Sequence, residues 1–301
     1  MAAENLIDPR SLAQLRDLRL LARRVVEGML SGIHVSRQRG AGLEFNQYRA
    51  YEPGDDPSRI DWKLFARSDR YYVREAQRES QLTLWCLIDL SGSMGLESEQ
   101  LAEWSKLRYA KALAASLGWL AMRQGDAFGL IGLASERLAY MPCRRGRRHF
   151  ERYTVALDRL QAQGRWPGEH TLRSLWEPLR SPGLAILITD LFEDGGEITA
   201  LAGKLAAAGK DVLVVQLLTQ AEREFPWRGR MMFQDRETGE TQLVDASAHR
   251  EVYQALREQE FVAQRRSLAA RDVVLLSTTI EAPMEPFLAR CLDPRRVRAA
   301  S

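Results

Sequence analysis

The strongest constraint in this sequence is a repeated alternation of short apolar runs and longer amphipathic stretches after residue 80. The apolar runs have the length of strands and are nearly continuous, as expected of strands covered on both faces. They cover residues 82–90, 127–133, 184–189, 212–218 and 273–276. The amphipathic stretches predict helices over residues 104–122, 147–161, 172–179, 197–208 and 246–270. Strands that alternate with helices predict an α/β fold, with a doubly wound, mostly parallel sheet.

The first 80 residues have a different pattern, which predicts a small N-terminal helix-plus-strand extension. Residues 12–30 are rich in Leu and Arg and predict a helix. Aromatic and β-branched segments at residues 45–51 and 71–73 predict short strands, separated by a Pro-Gly-Asp-Asp-Pro turn. We therefore predict two domains, the extension over residues 1–80 and the α/β domain over residues 81–301.

Cysteine usage and hydropathy bear on the cellular compartment. The cysteines, Cys86, Cys143 and Cys291, are far apart and form no CxxC pair, so we predict neither a disulfide framework nor a cysteine zinc site. The longest apolar runs are far below the roughly 18 residues that a membrane span needs. The first residues do not resemble a secretion signal. We expect a cytoplasmic protein with no membrane span.

The charge balance is too even to indicate nucleic acid as a partner. The chain has 43 basic and 40 acidic residues and a formal net charge of +3 at pH 7. Most of the basic residues are arginines, a bias to which we assign no function. The dense arginine cluster at residues 144–148 is interpreted as a solvated loop that leads into a helix, with contact to phosphate or an acidic protein as the alternative. A nucleic-acid binder using this cluster is the weakest hypothesis, and it predicts steeply salt-dependent binding.

The ends of two predicted strands carry the residues best suited to a functional site. One strand ends in Asp-Leu-Ser-Gly-Ser, another ends in Thr-Asp, and a further threonine precedes a predicted helix between them. Ligands of open α/β sheets bind beyond the carboxyl ends of the strands. Two carboxylates and three hydroxyls form an all-oxygen set that suits Mg²⁺ or Mn²⁺. The predicted metal ligands are Asp89, Ser91, Ser93, Thr171 and Asp190.

Helix capping is the alternative role for the two aspartates, because Asp at the end of a strand commonly caps the next helix. For Asp89 or Asp190 alone, capping is the better interpretation. The combination of Asp-x-Ser-x-Ser with a later Thr-Asp favours the metal site instead. Since two aspartates only balance a divalent cation, the cation would still attract an acidic group from outside.

This constellation resembles the metal-ion-dependent adhesion site of von Willebrand factor type A domains. That family has Asp-x-Ser-x-Ser on one loop, Thr on a second and Asp on a third, which correspond here to Asp89, Ser91, Ser93, Thr171 and Asp190. His170 precedes the threonine, where the family often has Gly. The resemblance implies a von Willebrand factor type A-like, Rossmann-like fold and a Mg²⁺ with one open position, filled by a carboxylate of a binding partner.

A second signature precedes the first strand of the α/β domain. The segment GDDPSRIDWKLFAR at residues 54–67 resembles the bacterial family catalogued as domain of unknown function 58, whose members join it to a type A domain. The resemblance implies partnership with a MoxR-type AAA+ ATPase. Many members begin with two membrane helices that this sequence lacks, which favours a cytosolic version. For the arginines and aspartates of the segment, an ion-paired structural clasp is the main interpretation and partner contact the alternative.

No enzymatic motif accompanies the predicted site. The sequence has no GxSxG, HExxH or phosphate-binding glycine loop. We therefore expect a non-enzymatic, metal-dependent protein-interaction module. It would act with a MoxR-type ATPase in complex maturation or stress response, on a protein client that offers an acidic residue. The main alternative is a phosphoesterase-like metal-dependent hydrolase, for which His170 and the turn Glu193-Asp194 are the candidate bases.

Overall fold

The computed structural model describes residues 6–39, 48–50, 72–74, 82–135, 138–192 and 195–292. The chain divides into two compact units, one of residues 1–32 with 82–301 and one of residues 33–81. One boundary between the units follows residue 81, and the first 32 residues cluster with the α/β unit. Two segments noted in the sequence lie outside the described residues, the GDD-IDW signature at residues 54–67 and the Glu193-Asp194 turn.

Two helices, α1 (Pro9–Gln14) and α2 (Leu18–Arg39), are present where the sequence predicts one helix over residues 12–30. The backbone becomes extended at Leu15, and the chain turns before α2. The side chain of Asp17 accepts a hydrogen bond from the backbone N–H of Arg19 at 2.8 Å, which satisfies a free donor at the start of α2. A new helix therefore begins after the break.

Contacts with the rest of the larger unit explain why the first residues cluster with it. The backbone N–H of Ile7 donates to Glu285 Oε1 at 2.8 Å, and Arg108 Nη2 donates to the carbonyl oxygen of Ala13 at 2.7 Å. Several α2 side chains, including Leu21 and Val25, are buried. The described residues include no helix that is long and apolar enough to cross a membrane.

Within the described ranges, the strands form three separate sheets. In chain order they are β1 (Tyr48–Ala50), β2 (Tyr72–Arg74), β3 (Thr83–Asp89), β4 (Ala127–Leu133), β5 (Ala139–Arg144), β6 (Gly183–Thr189), β7 (Lys210–Leu218), β8 (Arg230–Gln234), β9 (Thr241–Asp245) and β10 (Val274–Thr279). In the smaller unit, β1 pairs with β2 in antiparallel fashion. In the larger unit, six strands form the central sheet in the order β10-β7-β6-β3-β4-β5, and β8 pairs with β9 as a separate hairpin.

The central sheet is parallel except at its β5 edge, which is antiparallel to β4. The remaining helices are α3 (Lys106–Gln124), α4 (Arg147–Asp158), α5 (Glu169–Arg173), α6 (Glu197–Ala207), α7 (Gln220–Glu224), α8 (Ala246–Ala269) and α9 (Met284–Leu292). Trp85 and Leu87 of β3 pack with α6 side chains such as Leu201. Cys86 and Ile88 point to the opposite face and are equally buried. Helices therefore cover both faces of the sheet, and the predicted α/β fold class is confirmed.

The segment predicted as a helix over residues 172–179 is wrong in its bounds. Helix α5 ends at Arg173, and turns continue to residue 179. Pro178 keeps a regular helix from continuing to residue 179, because a proline has no N–H to donate and its ring clashes with the preceding turn of a helix. The short helix leaves Thr171 within its first turn, beside the carboxyl-end edge of the sheet.

Candidate metal site

Two neighbouring parallel strands, β3 and β6, end with predicted ligands at the same edge of the sheet. Their register runs from Leu84 opposite Leu184 to Ile88 opposite Ile188. Asp89 therefore comes next to Thr189, whose hydroxyl donates to Asp89 Oδ2 at 2.7 Å.

Asp190 directly follows β6. It is 0% exposed and Asp89 is 1% exposed, so both carboxylates are out of bulk water.

The loop after β3 brings both predicted serines beside the first aspartate. The backbone N–H of Ser91 donates to Asp89 Oδ1 at 2.9 Å. Ser91 Oγ lies 3.0 Å from Ser93 Oγ, and Ser93 belongs to a single 3₁₀ turn over Gly92–Gly95. The Asp-x-Ser-x-Ser spacing thus places one carboxylate and two hydroxyls on one short loop.

Thr171 is placed less directly than the other four predicted ligands. Its hydroxyl donates to the carbonyl oxygen of Ser135 at 3.5 Å. It also lines an open groove with His170, Leu138 and Tyr140. Among the residues that the structure describes, no hydrogen bond joins Thr171 to the aspartates or serines of the site, and its role as a ligand stays a prediction.

A lysine at the start of α3 is bonded to one of the two aspartates of the site. Lys106 is 0% exposed, and its Nζ donates to Asp190 Oδ2 at 2.7 Å and to Glu222 Oε1 at 2.8 Å. Glu222 in turn accepts from the backbone N–H of Thr219, just after β7, at 2.7 Å. The positive end of the helix dipole lies at the helix N-terminus, so a cation there is destabilising. A buried charge without a partner is also costly. The two carboxylates offset both costs and tie the ends of β6 and β7 to α3.

Burial and neighbouring charge shift the protonation of these groups. Burial, together with the Asp190 carboxylate, raises the pKa of Asp89 to about 7. Burial alone would lower the pKa of Lys106, but Asp190 and Glu222 outweigh it and the pKa is raised. Lys106 is therefore an ammonium at neutral pH.

The donor set of the site fits a hard divalent cation. Carboxylate and hydroxyl oxygens are the ligands that Mg²⁺ prefers. When Asp89 has lost its proton, as bonding to a cation requires, the carboxylates of Asp89, Asp190 and Glu222 and the ammonium of Lys106 sum to two negative charges, which one divalent cation would balance. The described residues contain no group of three or more His, Cys, Asp or Glu side chains arranged to hold a metal. A cation here would therefore need the serine hydroxyls and water in addition to the two aspartates.

The hairpin of β8 and β9 contacts the serine loop from outside the sheet. Asp235 Oδ1 accepts the backbone N–H groups of Glu237 at 2.7 Å and Thr238 at 3.1 Å, which fixes the hairpin turn. Arg236 Nη1 donates to the carbonyl oxygen of Gly95 at 3.2 Å. A Cβ on Gly92 would lie 2.6 Å from the carbonyl oxygen of Arg236. Gly92 is therefore what allows the turn to approach this closely.

The sequence of the chain matches that of a known protein family. Residues 47–264 match the family described as Protein of unknown function DUF58. The chain belongs to the DUF58 family. The resemblance noted in the sequence is thereby confirmed.

Relatives of this DUF58 chain occur in mycobacteria. It is 29% identical over 235 residues to an uncharacterized protein of Mycobacterium tuberculosis (strain ATCC 25618 / H37Rv), over 77% of this chain and 73% of that protein. The same identity and coverage apply to an uncharacterized protein of Mycobacterium bovis.

Solved structures similar to the DUF58 chain include proteins with a von Willebrand factor type A domain. The conserved hypothetical protein BatB from Bacteroides thetaiotaomicron has a TM-score of 0.43 and 13% identity, over 70% of this chain and 99% of that one. The SpRpn10 VWA domain has a TM-score of 0.42 and 13% identity, over 70% and 95% of the two chains. An aerotolerance-related membrane protein from Bacteroides fragilis has a TM-score of 0.44 and 16% identity, over 69% and 97%. At sequence identities this low, the similarity concerns the fold alone.

Sequence reasoning missed Lys106, Glu222 and the hydroxyl of Thr189 in the DUF58 site. One signal was available for Lys106, which shares a helical face with the fully buried Ala110 and Leu113 at spacings of four and seven residues. A lysine on the apolar face of a helix predicts a buried, paired ammonium. Glu222 also had a local signal, since it completes a capping box with Thr219.

Proposed function

We propose that this DUF58 chain is a non-enzymatic protein-interaction module that holds Mg²⁺ or Mn²⁺ and, through the cation, a carboxylate of its partner. The observation that carries the proposal is the meeting of two strand ends in one buried oxygen cluster. The 2.7 Å bond between Thr189 and Asp89 brings those ends together, and the contact of 3.0 Å between Ser91 and Ser93 completes the cluster. The proposed ligands are Asp89, Ser91, Ser93, Asp190 and, by resemblance to the adhesion-site motif, Thr171.

Coordination chemistry supports an exchangeable position on the cation. Mg²⁺ takes six oxygen ligands in near-octahedral geometry and usually keeps some water. Five side chains at most leave at least one position for water or an external oxygen. Lys106 offsets the charge of Glu222, and Asp89 with Asp190 balances the cation. A partner carboxylate would then approach a site that has no excess negative charge to repel it.

The proposed partner is a MoxR-type AAA+ ATPase, acting with this chain on a protein client in complex maturation or stress response. Membership of the DUF58 family supports this partner, through the association that the family resemblance implies. We propose the cytoplasm as its location. The thiols of Cys86, Cys143 and Cys291 are free, which suits a reducing compartment.

A pull-down under three metal conditions tests the proposed function. The purified chain is mixed with the MoxR-type ATPase of the same genome in Mg²⁺, in EDTA, and in EDTA followed by excess Mg²⁺. We expect retention of the ATPase in Mg²⁺, loss in EDTA and recovery on adding Mg²⁺ back. The double variant Ser91→Ala with Ser93→Ala should reproduce the loss while keeping the circular dichroism of the folded chain.

The matched control is Ser181→Ala, which removes an exposed serine hydroxyl and should leave retention unchanged. Equal retention in Mg²⁺, in EDTA and by the double variant would show that the site does not mediate the interaction. Normal Mg²⁺ binding without any ATPase retained would instead refute the proposed partner.

A further inference from the structure

Lys106 and Glu222 form a buried charge pair that the proposed coordination does not use. The side chain of Lys106 is 0% exposed and that of Glu222 is 9% exposed, with 2.8 Å between Nζ and Oε1. Replacing a buried ion pair by apolar residues is often neutral or stabilising, so stability alone does not account for such a pair. Its position is informative, because the same ammonium also lies 2.7 Å from Asp190 Oδ2.

We infer that Lys106 and Glu222 set the net charge of the metal site and thereby the valence of the cation that it prefers. With both residues present, and with Asp89 deprotonated as cation binding requires, three carboxylates and one ammonium leave two negative charges around the cation. Without the ammonium the site carries three negative charges, and without the Glu222 carboxylate it carries one. The inference rests on the proposed metal site and identifies what determines its choice of cation.

The ring of Phe192 lies over the ammonium of Lys106. Its ring centroid lies 5.4 Å from Lys106 Nζ and 4.5 Å from the guanidinium carbon of Arg257. Arg257 is paired with Glu260 at 3.5 Å, so its charge is partly offset. Buried charges interact through a low effective dielectric, whereas exposed pairs are screened by water and salt. The electric field at the proposed metal site is therefore dominated by four buried side chains, those of Asp89, Asp190, Lys106 and Glu222.

A charge series of four chains tests this inference. The metal site carries two negative charges in the wild type, three in Lys106→Met and one in Glu222→Gln. In the double variant of Lys106→Met with Glu222→Gln it carries two again. Affinities for Mg²⁺ are measured by calorimetry and affinities for Tb³⁺ by its luminescence. Adding one negative charge should raise the Tb³⁺ preference over Mg²⁺ by about tenfold or more, and removing one should weaken Mg²⁺ binding by a similar factor.

The double variant separates charge from shape, because it restores the wild-type charge and should restore the wild-type preference. Lys111→Met is the matched control: it removes a lysine from the same helix that donates to the carbonyl oxygen of Asp158 at 2.9 Å, away from the site. Its cation preference should equal that of the wild type. If Lys106→Met does not fold, Glu222→Gln and the double variant still carry the comparison.

The possible outcomes distinguish this inference from the proposed function. Wild-type cation binding with the same Tb³⁺ to Mg²⁺ ratio in all folded variants would overturn the charge inference alone. A charge-dependent ratio without any metal-dependent partner would support it and refute the interaction proposal. If the wild type binds neither cation, both are overturned.

Discussion

At the scale of single residues, the two oxygens of each aspartate of the site have different kinds of partner. One accepts from a backbone N–H two residues along the chain, and the other accepts from a side chain far away in sequence. Asp89 accepts from the Ser91 N–H at 2.9 Å and from the Thr189 hydroxyl at 2.7 Å. Asp190 accepts from the Phe192 N–H at 3.3 Å and from Lys106 at 2.7 Å. The local bonds are of the kind that the capping interpretation anticipates. Each carboxylate oxygen has a second lone pair, so these bonds leave room for a cation.

Asp89→Asn is predicted to abolish cation binding while the chain stays folded. Asparagine keeps the shape of the side chain and an acceptor for the Ser91 N–H, but it removes the charge that a cation needs. We expect the Kd for Mg²⁺ to rise by about a hundredfold or more, which corresponds to about 2.7 kcal/mol. Calorimetry measures the loss, and circular dichroism checks the fold.

Asp211→Asn, at an exposed position of β7, is the control for this substitution and should bind Mg²⁺ like the wild type. Unchanged Mg²⁺ affinity in folded Asp89→Asn would remove this residue from the site.

His149 gives the molecule a predicted sensitivity to acid. Its Nε2 lies 2.7 Å from the carbonyl oxygen of Phe128, to which it donates, and the side chain is buried. Burial first, and then Arg144 and Arg152, hold the pKa of His149 below its usual 6.5 despite that hydrogen bond. Below pH 6.5, His149 becomes protonated in the unfolded chain. In the folded chain it stays neutral until the pH reaches its lower pKa. The free energy of unfolding should therefore fall as the pH falls through this window.

Urea unfolding at pH 7.5, 6.5 and 5.5 checks this acid sensitivity, with His149→Gln as the comparison. Glutamine keeps a donor for the Phe128 carbonyl and does not titrate. The stability of the wild type relative to the variant should decrease as the pH falls. A constant difference across the three pH values would contradict the prediction.

The predictable part of the site is the part encoded by short spacings. Asp89, Ser91 and Ser93 share one loop, and the rule that parallel strands end at one edge places Asp190 beside them. The partners of Lys106 could not be predicted in this way. They are 84 and 116 residues away in sequence, so only the assembled sheet brings them together.

At the scale of elements, strands buried on both faces were predicted well and exposed strands were missed. The observed bounds of β4 are the predicted residues 127–133, because an unbroken apolar run is characteristic of a central strand. Along β5 the side chains alternate between exposed and half-buried, and Pro142 interrupts the run. Proline is tolerated on edge strands, where a missing N–H leaves no central ladder bond unmade. The β8–β9 hairpin is mostly exposed, and its apolar runs are only two or three residues long, Met231–Phe233 and Leu243–Val244, too short to indicate strands.

Gly92→Ala is predicted to displace the turn of the β8–β9 hairpin without removing any proposed ligand. The new Cβ would lie 2.6 Å from the Arg236 carbonyl oxygen, closer than real Cβ contacts allow, and backbone cannot yield as a flexible side chain can. We expect faster amide exchange in β8 and β9 and faster tryptic cleavage after Arg236.

Gly168→Ala is the matched control, since its Cβ would meet nothing within 4 Å and its φ is −66°. Equal exchange and cleavage in wild type and Gly92→Ala would show that the hairpin does not depend on this contact.

At the scale of the whole molecule, a bound cation is predicted to stabilise the entire larger unit. The proposed ligands Asp89 and Asp190 lie at the ends of β3 and β6, the two innermost strands of the sheet, so that unfolding must destroy the site. At a Mg²⁺ concentration of about 100 times Kd, mass action adds about 2.7 kcal/mol to the free energy of unfolding. For a unit of roughly 250 residues that corresponds to a Tm increase of about 5 °C.

Thermal melts over a Mg²⁺ series, at an ionic strength held constant with NaCl, measure this effect. The increase should be absent in Asp89→Asn. A Tm independent of Mg²⁺ in the wild type, or an equal increase in the variant, would contradict cation binding at this site.

The position of Asp89 and Asp190 in the strand order also has a mechanical consequence. Asp89 is the last residue of β3 and Asp190 directly follows β6. Both strands are hydrogen-bonded on both sides, β3 between β6 and β4, and β6 between β7 and β3. A pull on this edge along the strand direction loads both neighbouring ladders of each strand in shear, so that many hydrogen bonds must break together. The same pull on β5 or β10, at the borders of the sheet, would load a single ladder. The two aspartates are thus attached to the strands that resist such a pull best.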